Sequence, residues 1–183
     1  YSRSWAFNCG AEAARGALLV LHDNDMLVPA DYGAEILARA REGYEVINLK
    51  RFIFYLGESH TRAFFRGSLR LLDAAPERIL QNAEAGGSVA LTRAAFDRIG
   101  GMDESFIGWG GEDNEFWERA QTCRVWPYGY LPLVHLWHPN QPGKQARDNP
   151  MIGLHRTLAE LPVAERIARL CARERGRPEG PHG

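Results

Sequence analysis

Cysteine is scarce and badly spaced for chemistry. Cys9, Cys123 and Cys171 are odd in number and contain no C-x-x-C pair, which argues against a disulfide framework and a thiolate zinc site. Apolar runs are short as well: the most hydrophobic piece, ALLVL at residues 17–21, falls far below the about 20 residues a membrane-spanning helix needs. An excess of one charge is also missing. The 22 basic and 23 acidic residues leave a formal net charge of −1, so no electrostatic footprint for nucleic acid is present, although arginines cluster in the C-terminal ARERGRPEG. What remains is one globular domain, since 183 residues at 45% hydrophobic can bury a core. Reduced cysteines make a cytoplasmic protein the expectation, with attachment at the inner face of the membrane left to segments outside this chain. The chain opens at Tyr1 inside an already patterned segment, from which an N-terminal truncation is expected.

Alternating patterns then predict an α/β sheet with helices on both faces. Residues 9–16 are helix formers stopping at Gly16, followed by ALLVL as a strand with a polar tip. Residues 29–42 open with Pro29 and an Asp31 cap and carry Ile36, Leu37 and Ala40 on one face, ahead of the β-rich YEVINLKRFIFYL. Residues 60–81 are arginine-studded and read as an amphipathic helix broken near Pro76. SVAL is a short strand, Thr92 caps a helix bearing Ala95, Phe96 and Ile99, and Gly100–Gly101 end it. A helix from Glu112 to about Thr122 and strands around RVWPYGY and LPLVHLW follow. The expected division is a catalytic portion at 1–150, a C-terminal helix at 151–175 and a disordered tail at 176–183.

Three places carry candidate chemistry. Asp23-Asn24-Asp25 follows ALLVL, and residues i and i+2 of an extended chain project to one side, so both carboxylates could face a point beyond the strand's carboxyl end. A solvated turn is the plainer alternative. His135 and His138 end another apolar strand, where an imidazole would complete a mixed oxygen–nitrogen site that suits Mn²⁺ better than Ca²⁺ without excluding Mg²⁺. Being three apart, they face opposite ways on a strand, so one ligand is expected, His138 ahead of His135. Glu112 and Asp113 suit a helix start, where the macrodipole stabilises a carboxylate by about 0.3–1 kcal/mol. That accounts for neither Gly108, Gly110 and Gly111 nor Trp109 among them, which reads as a sugar-stacking platform or a ring folded into the core.

The ordered set WAFNCGAEAARGALLVLHDND, GGSVALTRAAFDRIGGMDESFIGWGGEDNEFWERA and VHLWHPNQPGK resembles the GT-A glycosyltransferases. It is most similar to the family-2-like bacterial enzymes and the carboxyl-terminal half of β-1,4-galactosyltransferase and chondroitin-polymerase domains, over about residues 2–145. The resemblance implies a GT-A-like mixed sheet flanked by helices, lacking the first nucleotide-binding β–α units. It implies a sugar transfer from a nucleotide-diphosphate sugar to a carbohydrate acceptor, dependent on Mn²⁺ or Mg²⁺ and inverting. By it Asp25 and His138 are metal ligands and Asp23 contacts ribose or the metal shell, with Asn8 and Asn24 on the donor side. Trp109 stacks on the acceptor beside Gly110 and Gly111, Glu112 binds its hydroxyls, and Asp113 is the general base.

Two other classes stay open on the residues alone. One is a metal-dependent hydrolase of a phosphoester or nucleotide sugar using Asp23, Asp25, His135 and His138; the other is a non-catalytic carbohydrate-binding remnant of the fold.

Overall fold

A computed structural model describes residues 2–81, 85–126, 129–139 and 149–173. The chain is a mixed α/β structure in which strands and helices alternate, as expected, but the strands form two sheets rather than one. The first sheet has the order β1 (Leu18–His22), β6 (Ser88–Thr92), β3 (Val46–Ile47), β7 (Val125–Trp126). The second runs β2 (Met26–Leu27), β8 (Leu131–His135), β4 (Lys50–Tyr55), β5 (Arg78–Gln81). The apolar YEVINLKRFIFYL divides between them: the chain leaves β3 at Asn48–Leu49 and re-enters pairing as β4, with a register shift between Lys50 and Phe52. Buried Asn48 supports this crossing, its Oδ1 accepting from the Lys50 backbone N–H at 3.3 Å and from Nζ at 3.0 Å.

Central β6 shows why the first sheet needs helices on both faces. Val89 and Leu91 point into one core with Phe96, Ile99, Phe116 and Ala120, while Ala90 points into the other with Tyr32 and Ile36. Those partners lie on α4 (Arg93–Arg98) and its C-cap Ile99 and on α5 (Glu112–Ala120) on one side, and on α2 (Tyr32–Arg41) on the other. The α4 boundaries follow local chemistry. Thr92 Oγ1 accepts from Ala95 N–H at 3.1 Å, and Gly101 N–H closes the helix on Phe96 O at 2.9 Å.

Three local expectations change. The first helix, α1 (Arg3–Ala13), starts earlier than expected, where the Ser2 side chain accepts from Trp5 N–H, and it stops before Gly16. Residues 60–81 are not one broken helix: α3 (Glu58–Phe65) and a 3₁₀ turn at Leu71–Asp73 precede β5, which the antiparallel register with β4 holds extended. The C-terminal helix is two, α6 (Pro150–Ala159) and α7 (Val163–Cys171), since Pro162 cannot continue a helix backbone. The expected tail at 176–183 lies outside the described residues. Among the described residues, no helix is long and apolar enough to cross a membrane.

Candidate functional site

Asp23-Asn24-Asp25 is a tight turn. Met26 N–H closes it on Asp23 O at 3.1 Å, and Asp23 N–H bonds Gly87 O at 2.9 Å. The same-side projection expected of an extended chain is therefore lost, and the two carboxylates part company. Asp25 faces the end of β8, and Asp23 faces α1. Asn24 is exposed at the tip.

Asp25, His135 and His138 each offer a ligand atom, all within 4.8 Å of one another. Asp25 Oδ2 is 3.1 Å from His138 Nε2 and 3.6 Å from His135 Nε2. The expectation that the two imidazoles face opposite ways is overturned: β8 ends at His135, so strand alternation does not extend to His138, and the rings come within 5.4 Å of each other. Two observations fit this trio to a divalent ion. Asp25 Oδ1 is buried with no hydrogen-bond partner among the described residues, an acceptor that protein donors do not fill. His138 Nδ1 lies 2.9 Å from Pro139 O, and a proton held there leaves the Nε2 lone pair directed at Asp25. His135 is stacked on Tyr55 with ring centroids 4.5 Å apart, which fixes its plane. Asp23 is not part of this cluster.

The second end of the site is the segment Gly108–Asp113. Gly111 is the N-cap of α5 in the left-handed region at φ +86°, and a Cβ there would lie 2.7 Å from His155 Cβ. Glycine is needed on both counts. Helix α6 braces the segment: Asn149 Nδ2 donates to Trp109 O at 2.8 Å, and the Ile107 N–H approaches Met151 Sδ at 3.1 Å. Trp109 is 41% exposed, so its ring is not folded into the core. Glu112 is buried, with Oε2 accepting from Gly110 N–H at 3.0 Å. Burial first, and the neighbouring Asp113 charge second, push its carboxyl above the usual glutamate range. Asp113 is more open, and its Oδ2 faces the Gly86 backbone, where an added Cβ would stand 2.8 Å away.

Arg3 joins the two ends. Its Nε donates to Asp23 Oδ1 at 2.9 Å, its Nη2 lies 2.7 Å from the same oxygen, and its Nη1 contacts Asp113 Oδ1 and stands 3.5 Å from Glu112 Oε1. Burial lowers the guanidinium's proton affinity, but Asp113 and Asp23 more than offset it, so Arg3 titrates above the usual arginine range. Burial likewise raises Asp23, Arg3 opposes that, and the charges of Asp113 and Asp25 add to it. The sequence reading missed Arg3. The signal was the accumulation of Asp23, Asp25, Glu112 and Asp113 without a countercharge, which calls for a cation from elsewhere in the chain.

Asn8, expected on the donor side, is instead buried structure. Its Nδ2 donates to Met102 O at 3.0 Å and Glu104 Oε1 at 2.6 Å, and its Oδ1 accepts from Met102 N–H at 2.9 Å. The far part of the histidine loop, residues 140–144, lies outside the described residues.

A family model for the N-terminal domain of galactosyltransferase matches residues 72–127, from before β5 to the end of β7. The chain resembles the galactosyltransferases. Human β-1,4-galactosyltransferase 5 is 27% identical over 130 residues, covering 67% of this chain and 26% of that protein. Human polypeptide N-acetylgalactosaminyltransferase 14 is 28% identical over 134 residues, covering 62% of this chain and 24% of that protein. The chain thus spans about a quarter of the length of these curated relatives. Among solved structures, the catalytic domain of Drosophila β-1,4-galactosyltransferase 7 in complex with xylobiose aligns with 79% of this chain and 49% of that one, at 19% identity and a TM-score of 0.44.

Proposed function

We propose that the protein is a divalent-metal-dependent glycosyltransferase that moves a sugar from a nucleotide-diphosphate sugar to a carbohydrate hydroxyl with inversion. The observation that carries the reading is the adjacency of two unlike sites on one short turn. Asp25 belongs to an oxygen–nitrogen–nitrogen ligand set, and Asp23, two residues earlier, shares a guanidinium with Asp113.

Asp25, His135 and His138 would hold the metal, and their donor chemistry suits Mn²⁺, with Mg²⁺ a weaker match. The ion, when bound, supplies positive charge against the diphosphate as that group leaves. The other steps belong to side chains. Trp109 offers its exposed face to the acceptor ring, and the Gly110–Gly111 backbone lets the acceptor approach closely. Asp113 accepts the proton of the acceptor hydroxyl as that oxygen bonds to the anomeric carbon from the face opposite the departing diphosphate, whose bond to carbon breaks with its electron pair. Glu112, buried and engaged with Gly110 N–H, is suited to hydrogen bonding of acceptor hydroxyls, while the more open Asp113 is suited to proton abstraction.

The test is transfer measured with Mn²⁺, a nucleotide-sugar panel and a sugar-acceptor panel, on the wild type and on Asp113→Asn. Acceptor-dependent transfer is expected in the wild type and a loss of about 10²–10⁴-fold in the variant, with Mn²⁺-dependent nucleotide binding retained. Donor hydrolysis that no acceptor accelerates would favour the hydrolase reading of the Asp25–His135–His138 trio. An unchanged transfer rate in Asp113→Asn would remove Asp113 as the base.

A further inference from the structure

We infer that Arg3 is a positioning residue that holds the donor-side turn and the start of α5 in register, so that acceptor activation depends on the donor side being in place. The inference rests on the glycosyltransferase reading and goes beyond it in assigning a role to Arg3, whose guanidinium touches carboxylates of both sides.

The backbone of Arg3 is fixed from two directions. Ser2, the cap of α1, donates through Oγ to Phe106 O at 3.1 Å, just ahead of the glycine segment, and Asn8 one turn further on clamps the same helix to Met102 and Glu104. The side chain is mostly buried, with its guanidinium carbon 4.7 Å from the centroid of the Phe7 ring. From that fixed base one planar fork reaches carboxylates on separate elements: Asp23 on the turn, and Asp113 with Glu112 on the helix. No backbone hydrogen bond joins the 23–25 turn to the first turn of α5 among the bonds of the described residues. Among the described residues the guanidinium makes a direct polar link between the donor turn and the base.

The geometry also explains why arginine is required. An ammonium is a point charge that can neutralise one carboxylate well, whereas the guanidinium presents separate N–H groups to Asp23 and Asp113 at once. Without the fork, Asp23, Glu112 and Asp113 repel one another across a partly buried space. The turn and the helix start then lose their common reference. Because reactivity requires the attacking oxygen and its base to be aligned to within a fraction of an ångström, such a loss is expected in transfer rather than in donor binding.

The experiment compares Arg3→Lys and Arg3→Gln with Asp113→Asn and the double variant Arg3→Gln/Asp113→Asn. In Arg3→Lys, Mn²⁺-dependent binding of nucleoside diphosphate by calorimetry is expected to stay within about threefold, while kcat for transfer falls by about 100-fold. In the double variant, transfer is expected to be no lower than in Asp113→Asn alone, because Arg3 acts through Asp113. If Arg3→Gln does not fold, Arg3→Lys and Asp23→Asn carry the comparison, the latter releasing the other side of the fork. Wild-type kcat in Arg3→Lys, or strictly additive losses in the double variant, would overturn the role. Asp113→Asn transferring at the wild-type rate would instead overturn the base assignment, and with it the role built on that assignment.

Discussion

Helix α5 carries two glutamates, Glu112 and Glu115, whose surroundings differ in kind. Glu115 is fully buried and held by arginines: Arg119 donates through Nε to Oε1 at 2.7 Å and through Nη2 to Oε2 at 2.6 Å, and Arg166 of α7 adds a contact at 3.3 Å. Arg119 Nη1 donates to Ile99 O and Gly101 O, at 2.5 and 2.7 Å. Glu112 is nearly as buried, but its close donors are backbone N–H groups, those of Gly110 and of Glu112 itself, and Arg3 stands 3.5 Å off. One carboxylate is held by side-chain charge from two helices, the other by the backbone of its own helix start. Glu115, held by two buried guanidinium groups, ties α5 to α7. Glu112, held by backbone donors, stands beside an exposed aromatic and a more open carboxylate.

The largest loss is expected at the buried Glu115. Glu115→Ala leaves Arg119 and Arg166 buried without their shared partner, and a loss of about 3–5 kcal/mol in urea denaturation is expected. A loss near zero would mean that the α5–α7 network contributes nothing. Between the two ends lies Gly111→Ala, which combines a left-handed backbone with a Cβ 2.7 Å from His155 Cβ. A cost of about 2 kcal/mol is expected, together with reduced acceptor affinity, since the cap of α5 must shift. Unchanged stability would show that α6 does not brace the cap. The smallest effect is expected from Glu112→Gln, which keeps an acceptor for Gly110 N–H.

The sign of that last effect follows from linkage. The folded-state carboxyl of Glu112 is raised above its unfolded value, so across the window between the two the folded state holds more protons than the unfolded state. Stability from this group is present at acid pH and declines as pH rises through the window. Glu112→Gln is expected to flatten the fall in denaturation midpoint measured upward from about pH 4, without removing it, since Asp23 is raised in the same direction. An unchanged slope would mean that Glu112 does not titrate differently in the two states.

Much of the local structure was legible because its causes are local. The strand SVALT, its Thr92 cap and the glycine stop of α4 are each decided within a few residues by pattern and hydrogen-bonding capacity. The identity of Asp25, His138, Trp109 and Asp113 as residues of interest was equally legible from their types and their place at element ends. What failed were inferences that extended a local rule past the element obeying it. Strand alternation was applied to His138, which lies beyond β8, and an extended chain was assumed at Asp23–Asp25, where the backbone turns. Asn8 looked available because side-chain bonding to Met102 and Glu104, 94 and 96 residues away, leaves no trace in its neighbourhood.

By itself, then, the sequence determined the order and type of most elements, the near-neutral charge and the short list of residues with chemistry. These depend on interactions between neighbours in the chain. Only the tertiary structure decided that the strands form two sheets, that both histidines meet Asp25, and that one arginine near the amino terminus clasps carboxylates 20 and 110 residues away. The physical reason is that contacts between distant segments are selected by packing and by the need to compensate buried charge, and neither is encoded in the spacing of residues along the chain.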